Sequence, residues 1–234
     1  MRYIILFTLI ITFTSFSTVA FQVQPMVAEL ESMGSQSQQT MRILNTSNEP
    51  LTIEVSAHDL LITEEGNEDL VSNEEDFLII PMTTIIPPGK SQSVIIRYIG
   101  EPIIEASKAY RITVNQVAVD VAEGTTSGFG MSVSFKTLFN VVPKNAEAKL
   151  VIKSKTQESN DIWKVLLENT GNKYIRLTQS QWVIKGNNEK LVLEGEDLSK
   201  ALSGKLLLPN SSREVTIKIP AQFNAEQSEL EVLF

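Results

Sequence analysis

Residues 128–143 read GFGMSVSFKTLFNVVP, and the alternation within them decides the fold. Large apolar side chains stand at Phe129, Met131, Val133, Phe135, Phe139 and Val141, with only Thr137 interrupting that face. A period of two belongs to a β-strand, which points successive side chains to opposite sides. The other face, Gly130, Ser132, Ser134, Lys136, Leu138, Asn140 and Val142, begins polar and ends apolar. A strand with this pattern buries its two faces in different places. Two readings fit: a core strand of a sandwich, or a strand that lends its side chains to another protein.

The surrounding chain repeats the same grammar. Short alternating runs at 21–30, 40–45, 51–58, 78–81, 91–99 and 110–121 precede it. Turn signals separate them, including Asn45-Thr46-Ser47-Asn48-Glu49-Pro50 and Pro87-Pro88-Gly89. About seven strands at this spacing predict an immunoglobulin-like sandwich over 21–143. Residues 144–148 read as a linker. Strand patterns resume at 149–155, 162–169, 174–184, 190–194, 204–208 and 213–219, which predicts a second, smaller β-sandwich over 149–234. The run Trp163 to Asn172 echoes Met41 to Asn48, since in both an apolar strand ends on an asparagine turn. Residues 120–128, with Gly124, Thr125, Thr126 and Ser127, read as a loop before the long strand. The acidic stretch 64–76 carries no Lys or Arg and reads as a solvated loop; its carboxylates do not keep calcium-loop spacing.

Residues 1–20 carry Arg2, an apolar run at 3–11 and the small-residue ending Thr18-Val19-Ala20, the pattern of a secretory signal peptide. That run is short for a bilayer span, so export without membrane insertion is expected. The chain has no cysteine, which removes disulfides, thiol nucleophiles and thiolate metal sites together. A formal net charge of -8 argues against a nucleic-acid partner, because phosphate binding needs a cationic surface. His58 is the single histidine, and no nucleophile–base pair, metal set or phosphate loop can be assembled around it. No enzymatic activity, cofactor or metal is expected. Arg97, Arg111 and Lys136 each interrupt a strongly apolar run. They are outward charges, partners of carboxylates, or a small cluster that binds an anion such as a chain-terminal carboxylate.

Taken in order, Phe21-Gln22-Val23-Gln24-Pro25, the Asn45 turn, Phe77-Leu78-Ile79-Ile80-Pro81, Ile86-Pro87-Pro88-Gly89-Lys90 and Ile96-Arg97-Tyr98-Ile99-Gly100 carry a resemblance. So do the long strand ending at Pro143 and Leu206-Leu207-Leu208-Pro209-Asn210-Ser211-Ser212-Arg213. The chain resembles the periplasmic pilus-assembly chaperones of the chaperone-usher pathway. The resemblance implies two immunoglobulin-like domains in a bent, L-shaped arrangement. It also implies a periplasmic location, fimbrial subunits and an outer-membrane usher as partners, and self-association of the free protein over its exposed strand. The implied mechanism is donor-strand complementation, in which backbone bonds zip an open sheet edge and alternate side chains fill a groove. Phe129, Met131, Val133 and Phe135 are then the groove-filling residues, together worth about 6–12 kcal/mol before association costs.

The resemblance further implies that basic residues in the cleft between the domains hold the subunit's terminal carboxylate, one an arginine of the first strand and one a lysine of the donor strand. This chain has no Arg over 21–41, and counting back from Pro143 puts Leu138 where the lysine belongs. Lys136, Arg97 and Arg111 are the anchors expected in their place, which makes the chain look like a divergent or archaic-type member. Two other readings compete. A structural pilus or adhesin component would begin with a donor extension and often carry a disulfide. A carbohydrate-binding sandwich would present an aromatic platform, for which Trp163 and Trp182 are the candidates, although a core role fits both better.

Overall fold

A computed structural model describes residues 21–117 and 132–234. The expected signal peptide, the loop at 120–128, and Phe129 and Met131 lie outside the described residues. The first half contains β1 (Phe21–Gln24), β2 (Val27–Glu31), β3 (Gln38–Asn45), β4 (Leu51–Ile62), β5 (Glu68–Ser72), β6 (Phe77–Ile80), β7 (Thr83–Ile86), β8 (Ser91–Tyr98), β9 (Lys108–Gln116) and β10 (Ser134–Val142). One sheet runs β1-β3-β8-β6 and the other β2-β10-β9-β4-β5, with β7 also paired to β4. The two sheets face each other. Met41 and Ile43 of β3 and Val94 and Ile96 of β8 share a core with Ile53 and Val55 of β4, Ile112 and Val114 of β9, and Phe139 and Val141 of β10. Alternation places them there, since every second residue of β3 and β8 is buried over much of each strand.

The opening run at 21–30 is two strands. Pro25 cannot donate a ladder hydrogen bond, and the chain leaves the first sheet at this point. It joins the second as β2, parallel to β10.

The second half contains β11 (Leu150–Ser159), β12 (Ile162–Asn169), β13 (Ile175–Arg176), β14 (Gln181–Gly186), β15 (Glu189–Leu193), the short helix α1 (Gly195–Ala201), β16 (Leu206–Leu207), β17 (Ser211–Lys218) and β18 (Glu229–Leu233). Sheets β11-β12-β17 and β15-β14-β18 and the pair β13-β16 enclose a second core that includes Trp163, Trp182, Leu167, Ile184, Val215 and Ile217. Both tryptophans are fully buried, so neither offers a face for stacking a sugar. Among the described residues, no sheet mixes strands from the two halves. The fold is all-β with two sandwich domains.

The echo between the domains is a shared device. Asn45 ends β3 and Asn169 ends β12, and both are completely buried. The Asn45 amide donates to the Glu49 and Ile86 carbonyls at 2.7 and 2.9 Å, while its oxygen accepts the Ser47 N–H. Asn169 donates to Lys173 O and Leu208 O at 2.7 and 3.2 Å and accepts from the Lys149 and Gly171 N–H groups. Each side chain therefore satisfies backbone groups from segments distant in the chain. Replacing either asparagine by alanine leaves buried donors and acceptors unpaired. Asn45→Ala and Asn169→Ala are each expected to lower unfolding free energy by roughly 2–4 kcal/mol, read as a shift of the urea midpoint at constant slope.

Candidate functional site: a cationic cleft beside an open strand edge

Strand β10 is bonded unevenly. Along one side it pairs with β9 from Ser134↔Asn115 to Val141↔Lys108. On the other side β2 covers only Leu138 to Val142. The Leu138 N–H donates to Met26 O at 2.9 Å on that side, whereas Val133 O accepts the Gln116 N–H on the β9 side. Amides alternate along a strand, so the N–H and C=O of Ser134 and Lys136 face the side that β2 does not reach. Among the described residues, nothing pairs with that edge.

The open edge runs into a cleft between the domains that encloses about 440 Å³. Met26, Val27 and Leu138 form part of its wall, and five cationic side chains, Arg111, Lys136, Arg176, Lys205 and Arg213, line it against one carboxylate, Glu68. That concentration of positive charge stands out in a chain of net charge -8. Arg111 and Glu68 form a bidentate pair, with Nη2 to Oε1 at 2.5 Å and Nε to Oε2 at 3.2 Å. Arg213 donates to Leu206 O at 2.5 Å and to Gly66 O at 3.4 Å, while its buried Nε has no partner among the described residues. Burial pulls the Arg213 guanidinium below its ordinary pKa, and the negative charge of Glu68 opposes that shift.

The cleft is held in shape by contacts between the two halves. Leu60, Ala109 and Leu138 of the first domain and Leu206 of the second form one buried cluster, with Ile62, Leu70, Tyr174 and Leu208 packed on it. Ser107 N–H donates to Asn172 O, Tyr174 N–H to Ser107 Oγ, and Tyr174 OH to Glu29 Oε2 at 2.8 Å. Burial, and then this bond to Glu29, push the Tyr174 phenol pKa up. The β4–β5 hairpin closes the other side: Glu214 N–H donates to Glu64 O at 2.7 Å, and the Gly66 carbonyl meets Arg213.

The acidic stretch 64–76 is therefore not a simple solvated loop. Strand β5 lies inside it, paired with the end of β4. Leu70 packs against the interdomain cluster and Glu68 binds Arg111.

No family model matches the chain, and no curated protein matches it in sequence. Solved structures do match. The class 5 fimbriae chaperone CfaA is 17% identical with a TM-score of 0.59, the match covering 92% of this chain and 99% of CfaA. The E. coli chaperone DraB is 14% identical with a TM-score of 0.55, covering 92% and 96%. A chain of the CsuC–CsuE chaperone–tip adhesion subunit pre-assembly complex, from the archaic chaperone-usher Csu pili of Acinetobacter baumannii, is 13% identical with a TM-score of 0.54, covering 84% and 89%. This chain has the fold of the fimbrial chaperones.

Within that fold the expected residues separate. Lys136 and Arg111 line the cleft together. Arg97 does not reach it: β8 belongs to the other sheet, where Arg97 is exposed between Gln38 and Leu78. Phe135 packs its ring edge-on against Phe21, with centroids 4.8 Å apart, and Val133 also packs on the first domain's own core. Both are only half-buried there. Arg176, Lys205, Arg213 and Glu68 were missed by sequence reasoning. Arg213 closes one of the segments that carried the resemblance, the only signal that could have pointed to it.

The hairpin contact makes a direct prediction. Gly66 has φ +92° and an added Cβ would lie 2.9 Å from Arg213 Nη2, whereas Gly34 has φ +85° and open space around it. A valine at either position incurs backbone strain of about 1–3 kcal/mol. Gly66→Val is expected to lower the melting midpoint further than Gly34→Val, because it alone also displaces the Arg213 guanidinium.

Proposed function

We propose that this chain is a periplasmic assembly chaperone. It holds fimbrial subunits by strand addition on β10 and delivers them to an outer-membrane usher. The observation that carries the reading is the strand edge at residues 134–137, which lacks a β2 partner and opens into a cleft lined by Arg111, Lys136 and Arg176. An incoming strand that bonds to the Ser134 and Lys136 amides is directed toward cationic side chains suited to its terminal carboxylate. The solved neighbours support it: CfaA is a class 5 fimbriae chaperone, and another neighbour is a Salmonella enterica SafA pilin in complex with the SafB chaperone.

The alternation of Phe129 and Met131 continues that of Val133 and Phe135, so the first pair supplies the groove-filling side chains and the second anchors the strand to its own domain. Binding of a partner strand satisfies an edge that otherwise invites pairing with a second copy. The free protein is accordingly expected to self-associate, read as a concentration-dependent oligomer in sedimentation.

Co-expression with a candidate fimbrial subunit in a bacterial periplasm tests the reading. Wild type is expected to co-purify with the subunit at one to one, and Phe129→Ser with Met131→Ser is expected to lose it while melting as wild type does. Equal recovery with the double variant would contradict strand donation. Phe135→Ser is expected instead to lower the melting midpoint, because its ring packs on Phe21.

A further inference from the structure

The sheet β1-β3-β8-β6 buries one side in the first domain's core and turns the other outward. None of its four strands, FQVQ, QQTMRILN, SQSVIIRY and FLII, contains an Asp or Glu, in a chain with 28 acidic against 20 basic residues. On the outward face Ile80 of β6 pairs with Ile95 of β8, and Leu78 pairs with Arg97. Leu78, Ile80 and Ile95 are 42%, 51% and 38% exposed. Arg97 and Arg42 are exposed on the same face, and neither has a hydrogen bond or ion pair among the described residues. Single exposed apolar residues are ordinary, but adjacent ones bordered by unpaired charge mark an interaction surface.

The β4–β5 hairpin carries the opposite pattern. No Lys or Arg occurs from Asp59 to Asp76, a span rich in Asp and Glu. One face of the hairpin is in use, with Leu60 and Leu70 packed between the domains and Glu68 bound to Arg111. On the other face Asp59 pairs with Val71 and Leu61 with Asp69, so these four side chains share one side. Leu61 and Val71 are 54% and 52% exposed, and Asp69 has no hydrogen bond or ion pair among the described residues. With Leu208 and Pro209 they wall a hollow of about 470 Å³, where Lys108 already lies 3.8 Å from Asp76. Apolar residues flanked by acids on the hairpin thus match apolar residues flanked by arginines on the sheet. Both surfaces are exposed in one chain, so they do not meet within it.

We propose that the β4–β5 hairpin of one copy docks on the outer face of sheet β1-β3-β8-β6 of a second copy. Leu61 and Val71 pack against Leu78, Ile80 and Ile95, and the hairpin's carboxylates face Arg97 and Arg42. The two surfaces differ, so the contact is heterologous. It uses neither the β10 edge nor the side of the hairpin that faces the cleft, and it does not rest on strand donation.

Sedimentation of wild type, Arg97→Glu and Asp69→Lys over a range of concentrations tests this. Both side chains are exposed, so both variants are expected to melt as wild type does. Wild type is expected to associate as its concentration rises, and less tightly at high salt. Each variant alone is expected to raise the apparent dissociation constant about tenfold, because reversing one charge sets like charges against each other. Mixed in equal amounts, the two recover association: Arg97→Glu supplies an intact hairpin and Asp69→Lys an intact sheet. Pairing through the β10 edge is touched by neither substitution, so variants that associate as tightly as wild type overturn the inference. A mixture no more associated than its separate components overturns it too. Either of these results leaves strand donation standing. A wild type that stays monomeric at every concentration overturns the second copy as the occupant of this face.

Discussion

Strand β10 is hydrogen-bonded on both sides only where β2 runs beside it, and the rest of the molecule is arranged around that unequal bonding. From Leu138 to Val141 it is paired on both sides, and from Leu138 onward its side chains are buried on both faces. Before Leu138 one row of backbone groups has no partner among the described residues. Unpaired strand edges favour pairing with another chain, and proteins usually blunt or cover them. Here the edge is left open next to a charged cleft. Pro25 contributes to this: by ending β1 it lets the chain change sheets, and the register of β2 then determines how much of β10 is covered.

Two kinds of contact hold the domains around the cleft. Leu60, Ala109, Leu138 and Leu206 form a buried apolar cluster between the domains, and the β4–β5 hairpin reaches over to Arg213. Polar bonds through Ser107, Asn172, Tyr174 and Glu29 complete the interface. Interfaces with this mixture of apolar and polar contacts resemble transient protein–protein contacts more than a domain core. The buried Asn140 amide, with neither atom bonded among the described residues, lies on the apolar half of β10 and further limits how tightly that face can pack.

What was legible in the sequence was what depends on local period. The alternation of residues 128–143 gave β10, and the asparagine turns gave the ends of β3 and β12 because the signal and the structure are adjacent in the chain. Trp163 and Trp182 read as core residues for the same reason. Long-range pairings were not legible. Glu68 reads as one acid among many until β5 is seen to bring it to Arg111, 43 residues away. Phe135 looks free to leave the domain until Phe21 is found beneath it. The strand β13 is two residues long and Arg176 follows a buried isoleucine, so no periodic signal marks it as facing a cleft. Arg97 shows the converse error, since an arginine in an apolar strand carries no information about which sheet that strand joins.

Backbone hydrogen exchange, resolved at the amides of Ser134, Lys136 and Leu138, tests the central claim most directly when the free protein is compared with its complex with a fimbrial subunit. The account predicts rapid exchange at Ser134 and Lys136 in the free monomer, held at a concentration below self-association, and strong protection in the complex, with Leu138 protected in both through its bond to Met26. Ser134 and Lys136 amides that are already protected in the free monomer, or that stay unprotected in a stable complex, would contradict it.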